Sequence, residues 1–291
     1  MVSFTVEILS GFCNVLKSLV TALSIGDTNL LPRTDCSHYY GEGGVGGDFR
    51  EILDDSLICH GNSEMGESFI SARFLILKEE EKDQQDLIND TKVWGSDLHG
   101  GINIINKNIL HLFSAHTIDW FYDRTLICDK VFNRIQTGIE KVKWRDLVLN
   151  EVKNIIQQFE GNILTIQIRT WRAHHIGDIK DLTNRKIFND GVIRDYNFET
   201  YKNAIDKFLS ETKTIFLTAD CDDALTEYME YLKNYKVIIY TQPSHITHLQ
   251  YSAATMLIAS HCNMLVCSRI STFAECIWWF GGCKAKVIPV F

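Results

Sequence analysis

The chain has 291 residues, with 29 basic and 37 acidic side chains and a net charge of -8 at neutral pH. That length allows one large domain or two of ordinary size, and the acidic balance argues against a nucleic-acid partner held by its phosphate backbone. A hydrophobic content of 45% with 3 Pro suits a packed globular protein, and 9 Cys without a C-x-x-C pair favour reduced thiols in a cytoplasmic setting over a disulfide framework.

Strand and helix patterns alternate from the start, which favours an α/β fold. Residues 2–9 read as a strand, Ser10-Gly11 as a turn, and residues 14–24 as a helix with Val15, Leu16, Leu19, Val20 and Leu23 at helical spacing. The turn lacks a full G-x-G-x-x-G, so a standard dinucleotide fingerprint is absent. Residues 41–47 are glycine-rich and follow Tyr39-Tyr40; they read as a flexible loop, or as a mobile lid over an acceptor. Short elements are expected at 52–57 and 68–77, a solvated charge run at 78–86, and helices at 109–121 and 131–139. Residues 144–159 are amphipathic and stop at Glu160-Gly161. A domain boundary is expected near this helix, giving domains 1–150 and 151–291.

The second half is a run of β-α units: strands at 162–169, 214–218, 236–240, 264–267 and 285–290, helices at 197–210, 224–232, 248–261 and 272–280. A doubly wound, Rossmann-like domain follows from that order. The best apolar stretch, 256–267, is broken by Ser260, His261, Cys262 and Asn263 and is too short to span a bilayer. The N-terminus has no basic start of a signal peptide.

Two strand ends carry chemistry. Ile166-Gln167-Ile168-Arg169-Thr170-Trp171 ends one buried strand, and Cys267-Ser268-Arg269-Ile270-Ser271-Thr272-Phe273-Ala274-Glu275 ends another. The C-terminal ends of parallel strands are where open α/β sheets bind ligands. A guanidinium at one end forks onto phosphate oxygens. Hydroxyls at a helix start, with its N–H groups and dipole, favour an anion. Together they read as a diphosphate clamp for a nucleotide or nucleotide sugar. Each half also has a plainer reading: a surface or salt-bridged Arg, and Thr272 as a helix N-cap with Glu275 as its capping-box partner. Asp222 and Asp223 read as acids complementing a helix dipole, with Asp220 at the strand end before them. His245 and His248, with His261 beyond, show no complete zinc spacing, and no metal site is expected. Ser268 and Ser271 lack a G-x-S-x-G elbow. Ile277-Trp278-Trp279-Phe280 reads as a helix face packed on the sheet.

In order along the chain these residues resemble the fucosyltransferase-like branch of the GT-B glycosyltransferases, which includes nodulation-type α-1,6-fucosyltransferases and protein O-fucosyltransferases. Gly11-Phe12-Cys13-Asn14 resembles the family's N-terminal Gly-x-x-Asn turn, and Gln167-Ile168-Arg169 its H-x-R motif. Phe216-Leu217-Thr218-Ala219-Asp220 resembles its F-x-A-T-D strand end, and Ser268 with Ser271-Thr272-Phe273 and Glu275 its S-x-x-S-T-F-x-E motif. Gln167 stands where the family has His, Thr170-Trp171 where it has Arg-Gly, and Cys13 where it has Gly.

The resemblance implies two Rossmann-like domains facing a cleft, an N-terminal acceptor side and a C-terminal donor side. It implies inverting, metal-independent transfer of a sugar from a nucleoside-diphosphate donor to a glycan, with no cofactor. GDP-fucose is the family default, and UDP-xylose or another NDP-sugar remains open. Arg169 would hold the β-phosphate, with Ser268, Ser271, Thr272 and the Phe273 backbone completing the clamp and Gln167 and Asp220 at its sides. Gly11, Phe12, Cys13 and Asn14 would face the substrate from the other domain, Asn14 positioning acceptor or phosphate. The acceptor base would come from Asp48, Glu42 or Glu64. A non-catalytic nucleotide-sugar or glycan-binding module of the same fold is the alternative.

Overall fold

A computed structural model of the chain describes residues 3–7, 12–13, 16, 19–20, 23, 27–31, 48–57, 122–126, 129–170, 197–268 and 271–290. Two compact units are present, the second taking in Val148–Phe291. Gly11, Asn14, the 41–47 segment with Glu42, Glu64, Trp171, Arg269, Ile270 and the helix expected at 109–121 lie outside the described residues.

In the first unit, β1 (Ser3–Glu7) pairs in parallel with β2 (Asp27–Leu31), from Ser3↔Asp27 to Glu7↔Leu31. Between them Phe12, Cys13, Leu16, Leu19, Val20 and Leu23 are helical and buried. Their three- and four-residue spacing puts them on one face, as a β-α-β crossover requires. Residues 52–57 form neither strand nor α-helix. They lie within and between two short 3-10 turns, Phe49–Glu51 and Asp55–Leu57, and Leu53 bridges antiparallel to Trp144. Helix α1 (Asp129–Glu140) comes before that bridge.

Trp144 is therefore not the start of the next helix: α2 runs Asp146–Ile156. It also stops short of Gly161, whose φ of +61° turns the chain into β3 instead. A Cβ at Gly161 would sit 2.7 Å from Lys213 Cγ, so both its conformation and its neighbour favour glycine.

The second unit runs β3 (Ile163–Ile168), α3 (Phe198–Leu209), β4 (Thr214–Ala219), α4 (Asp222–Tyr231), β5 (Val237–Ile238), α5 (His248–Ala259), β6 (Met264–Ser268), α6 (Thr272–Phe280) and β7 (Lys286–Val290). The strands form one parallel sheet in the order β5-β4-β3-β6-β7. Every residue of the central β3 is buried. Such a strand is covered on both faces, which is why it reads as a near-continuous apolar run.

On one face Leu164, Ile166, Ile168, Ile215, Leu217, Met264 and Val266 form a single core with Tyr201, Ile205 and Phe208 of α3 and Ala224 and Tyr228 of α4. On the other, Thr165 Oγ1 donates to the carbonyl of Ala259 at the end of α5, 3.1 Å away. Nearly all of α5 is buried, and α6 buries Ile277, Trp278 and Trp279. Each fully buried Leu or Ile contributes about 1.5–3 kcal/mol, so this layer holds the sheet firmly. A capping box, Thr247 with Gln250, starts α5. Strand β5 is shorter than the 236–240 expected, because Tyr240 leaves the ladder: its carbonyl accepts from Tyr251 and its phenol donates to Glu151 at 2.7 Å. Among the described residues no helix is long and apolar enough to cross a membrane.

Candidate functional site

The strand order reverses between β3 and β6. From β3 the chain goes on through α3 to β4 on one side, and from β6 through α6 to β7 on the other. In open α/β sheets the usual ligand position is at the C-terminal ends of the strands where such connections diverge. Arg169 and Thr170 end β3 there; Ser268 ends β6, and Ser271 opens α6.

Hydrogen bonds tie these residues together across the strands. The Arg169 amide donates to Ser268 Oγ at 3.0 Å, and the Ser268 amide donates to Gln167 Oε1 at 3.3 Å. Ser268 Oγ also pairs with the phenol of Tyr201 from α3. Towards β4, Asp220 Oδ1 accepts from the Thr170 amide at 2.9 Å and the Thr170 hydroxyl at 2.7 Å. Asp220 Oδ2 lies 3.6 Å from Arg169 Nε, the carboxylate being 8% exposed and the guanidinium 26%. Arg169 is thus anchored on both flanks, by β6 through its backbone and by β4 through its side chain, with its tip reaching solvent.

Helix α6 starts at Thr272 as expected, but its N-cap differs by one residue from the sequence expectation. Ser271, not Thr272, is the N-cap: its backbone is extended and its Oγ accepts from the Ala274 amide at 3.3 Å. Glu275 then falls one residue past the capping-box position, and it is buried. Thr272 and Phe273 occupy the first turn, whose amides have no intrahelical acceptor and carry the positive end of the dipole. Asp222 and Asp223 lie in the first turn of α4.

Gln167, Arg169, Asp220, Ser268, Ser271, Thr272 and Phe273 all belong to the second unit, and the contacts described above join Gln167, Arg169, Asp220 and Ser268. In the first unit Phe12 and Cys13 are buried, with the Phe12 ring 6.1 Å from that of Phe49. Their side chains fill the core, so a contact to substrate would run through backbone. Asp48 caps the 3-10 turn at Phe49–Glu51: Oδ1 accepts from the Arg50 amide at 2.9 Å and Oδ2 from Arg50 Nε at 2.6 Å. The Arg50 side chain holds this carboxyl below its ordinary value, which makes it a weak proton acceptor.

Three residues matter that sequence motifs do not single out. Thr170, a departure from the family pattern, is the partner of Asp220. Tyr201 reads in the sequence only as one position of a buried helix face, although a buried tyrosine, unlike Leu or Phe, needs a partner for its hydroxyl. Glu151 of α2 receives both Tyr240 and, at 3.2 Å, His245 Nε2. His248 bonds Gln242 instead, at 2.9 Å. Among the described residues no group of three or more His, Cys, Asp or Glu side chains is placed to hold a metal. Five of the six described cysteines are buried. A groove of about 540 Å³ lies at the opposite, N-terminal ends of β3 and β6, lined by Lys153, Phe159, His261 and Asn263 among others.

The architecture is that of an α/β protein built on a five-stranded parallel sheet. More particularly, it is the fold of the nodulation-type fucosyltransferases. A crystal structure of NodZ α-1,6-fucosyltransferase soaked with GDP-fucose matches with a TM-score of 0.51 and 14% identity, over 99% of this chain and 94% of that one. NodZ from Bradyrhizobium gives 0.46 and 13% over 94% and 90%, and POFUT1 in its apo form 0.45 and 12% over 95% and 94%. No protein-family model and no curated protein sequence matches the chain.

Proposed function

We propose that the protein is a glycosyltransferase that moves a sugar from a nucleoside-diphosphate donor to a glycan acceptor. The observation that carries this is the convergence of Arg169 with Ser268 and the Ser271-capped start of α6 at the sheet's switch point. The fold shared with a fucosyltransferase whose crystal was soaked with GDP-fucose supports GDP-fucose as the donor to try first. UDP-xylose and other NDP-sugars remain the alternatives.

In this reading residues 1–150 form the acceptor side and residues 151–291 the donor side of a GT-B cleft. The acceptor hydroxyl oxygen attacks the anomeric carbon and gives up its proton to a carboxylate of the acceptor side, Asp48, Glu42 or Glu64, while the bond to the diphosphate oxygen breaks, inverting that carbon. The diphosphate leaves with the bonding electron pair, and charge gathers on it. Arg169 and the first amides of α6 stabilise that charge without reorganising, which lowers the barrier electrostatically. No metal is required where a guanidinium and a helix dipole do this work. Asp220, at the edge of the same crevice, accepts from a ribose or base hydrogen in addition to Thr170.

One observation favours the alternative of a binding module without turnover. Gln167, at the position where the resembled motif has His, uses its side-chain oxygen on the Ser268 amide. The deciding experiment is a thermal-shift and calorimetric screen over GDP-, UDP-, ADP- and CMP-sugars, followed by release of nucleoside diphosphate with glycan acceptors. Binding with release supports the transferase; binding without release on any acceptor supports the module; no binding by any nucleotide sugar overturns both.

A further inference from the structure

We infer that Tyr201 is a positioning residue for the diphosphate site, acting through Ser268 on the backbone of Arg169. This rests on the clamp reading above and adds a residue to it from a helix that carries none of the motif. Tyr201 sits on α3 and is 2% exposed. Its phenol pairs with Ser268 Oγ. The same serine oxygen receives the Arg169 amide at 3.0 Å and lies 3.5 Å from the Arg169 carbonyl.

A serine hydroxyl has one hydrogen and two lone pairs. Burial pushes the Tyr201 phenol well above its ordinary value, so it stays protonated. It donates to Ser268, which takes the Arg169 N–H on its other lone pair. The serine's own hydrogen is then directed to the Arg169 carbonyl. Both backbone groups of Arg169 are thereby tied to one hydroxyl whose direction Tyr201 sets. A tyrosine used only for packing would carry its hydroxyl into the core at a cost, since an unmatched buried hydroxyl is unfavourable. Here the hydroxyl is aimed at the strand end where the guanidinium begins. The side chain of Arg169 forks usefully onto a diphosphate only if its Cα is held.

The test is Tyr201→Phe, with Ser268→Ala and the double variant, in the full chain. GDP and UDP are the probes, by calorimetry, beside NMR amide exchange at Arg169. The expected result is nucleotide affinity weakened about fivefold to tenfold, the loss of one hydrogen bond, with faster exchange at Arg169 and unchanged exchange at Leu164 and Ile166. The double variant should be no worse than Ser268→Ala. Wild-type binding matched by a folded Tyr201→Phe variant overturns this inference and leaves the clamp standing. A wild type that takes up neither GDP nor UDP overturns the clamp and, with it, this role. If Tyr201→Phe does not fold, Ser268→Ala reads the same bond from its other end, and unaltered Arg169 exchange there overturns the inference.

Discussion

Asp220 accepts twice from Thr170 on a single oxygen, from the amide at 2.9 Å and from the hydroxyl at 2.7 Å. The bond joins the ends of the neighbouring strands β3 and β4. With the carboxylate only 8% exposed, Asp220→Ala strands two donors and the neighbouring guanidinium. The expected loss is about 2–3 kcal/mol of folding stability. Asp220→Asn keeps an acceptor and should lose about 1 kcal/mol. Urea denaturation of the two variants checks this; equal midpoints for Ala and wild type would show the bond to be idle.

Arg169 offers a different readout. Its backbone is fixed by Ser268 and its side chain flanked by Asp220, so replacing the guanidinium should leave the fold intact. Arg169→Ala should slow transfer by about 3 kcal/mol in activation free energy, the range for removing one electrostatic donor to a developing anion. Arg169→Lys should recover little, because an ammonium cannot fork across two oxygens. Near-normal turnover of the lysine variant in a donor-saturated assay would count against a bidentate role.

Most of the second unit was legible in the sequence because both of its signals are local. The fully buried strands Ile163–Ile168 and Met264–Ser268 are near-continuous apolar runs, and α6 falls at Thr272–Phe280 as expected. What escaped depends on long-range pairing. The bridge of Leu53 to Trp144 delays α2, and the bond of Tyr240 to Glu151 shortens β5; no local pattern marks either. At the site, Arg169, Ser268 and Ser271 stood out through their place at strand and helix ends. Tyr201 did not, because its partner lies across a crossover and its helical spacing already accounts for its burial.

Two side-chain caps of the second unit allow a controlled comparison. Ser271 caps α6 at the proposed clamp, and Thr247 caps α5 with a complete capping box. Replacing either with Ala should cost about 1 kcal/mol of stability. Only Ser271→Ala should also weaken nucleotide binding, since its helix start is the one proposed to meet the diphosphate. Parallel thermal melts and GDP titrations separate the effects. Equal nucleotide affinity in both variants would reduce Ser271 to a structural cap.

The acid range tests Asp48. The Arg50 side chain, first among the causes, lowers the Asp48 carboxyl below 3.8. A folded-state value below the unfolded one means that its stabilisation is complete above the unfolded value and is lost as pH falls through the folded one. Asp48→Asn should therefore be less stable than wild type at neutral pH, and the gap should close below about pH 4. Urea midpoints between neutral and acid pH measure it. A gap that widens on acidification would contradict the Arg50 contact as its source.

Chelation bears on how the leaving group is neutralised. Asp220-Cys221-Asp222 has the spacing of a D-x-D segment, which in other sites holds a divalent cation through its carboxylates. In this fold the two acids are committed elsewhere. Asp220 takes both Thr170 donors on Oδ1 and faces Arg169 with Oδ2, while Asp222 heads the first turn of α4, where an acid complements the dipole. A cation at Asp220 would have to displace Thr170 and stand beside a guanidinium, an arrangement that like-charge repulsion disfavours. Transfer should therefore continue at an undiminished rate in EDTA, and added Mg²⁺ or Mn²⁺ should not raise the rate of the chelated enzyme. Loss of activity in chelator with full recovery on adding metal would place the charge on a cation. It would then also predict that Asp220→Asn and Asp222→Asn fail together, whereas a Thr170-bound Asp220 predicts that Asp222→Asn turns over normally.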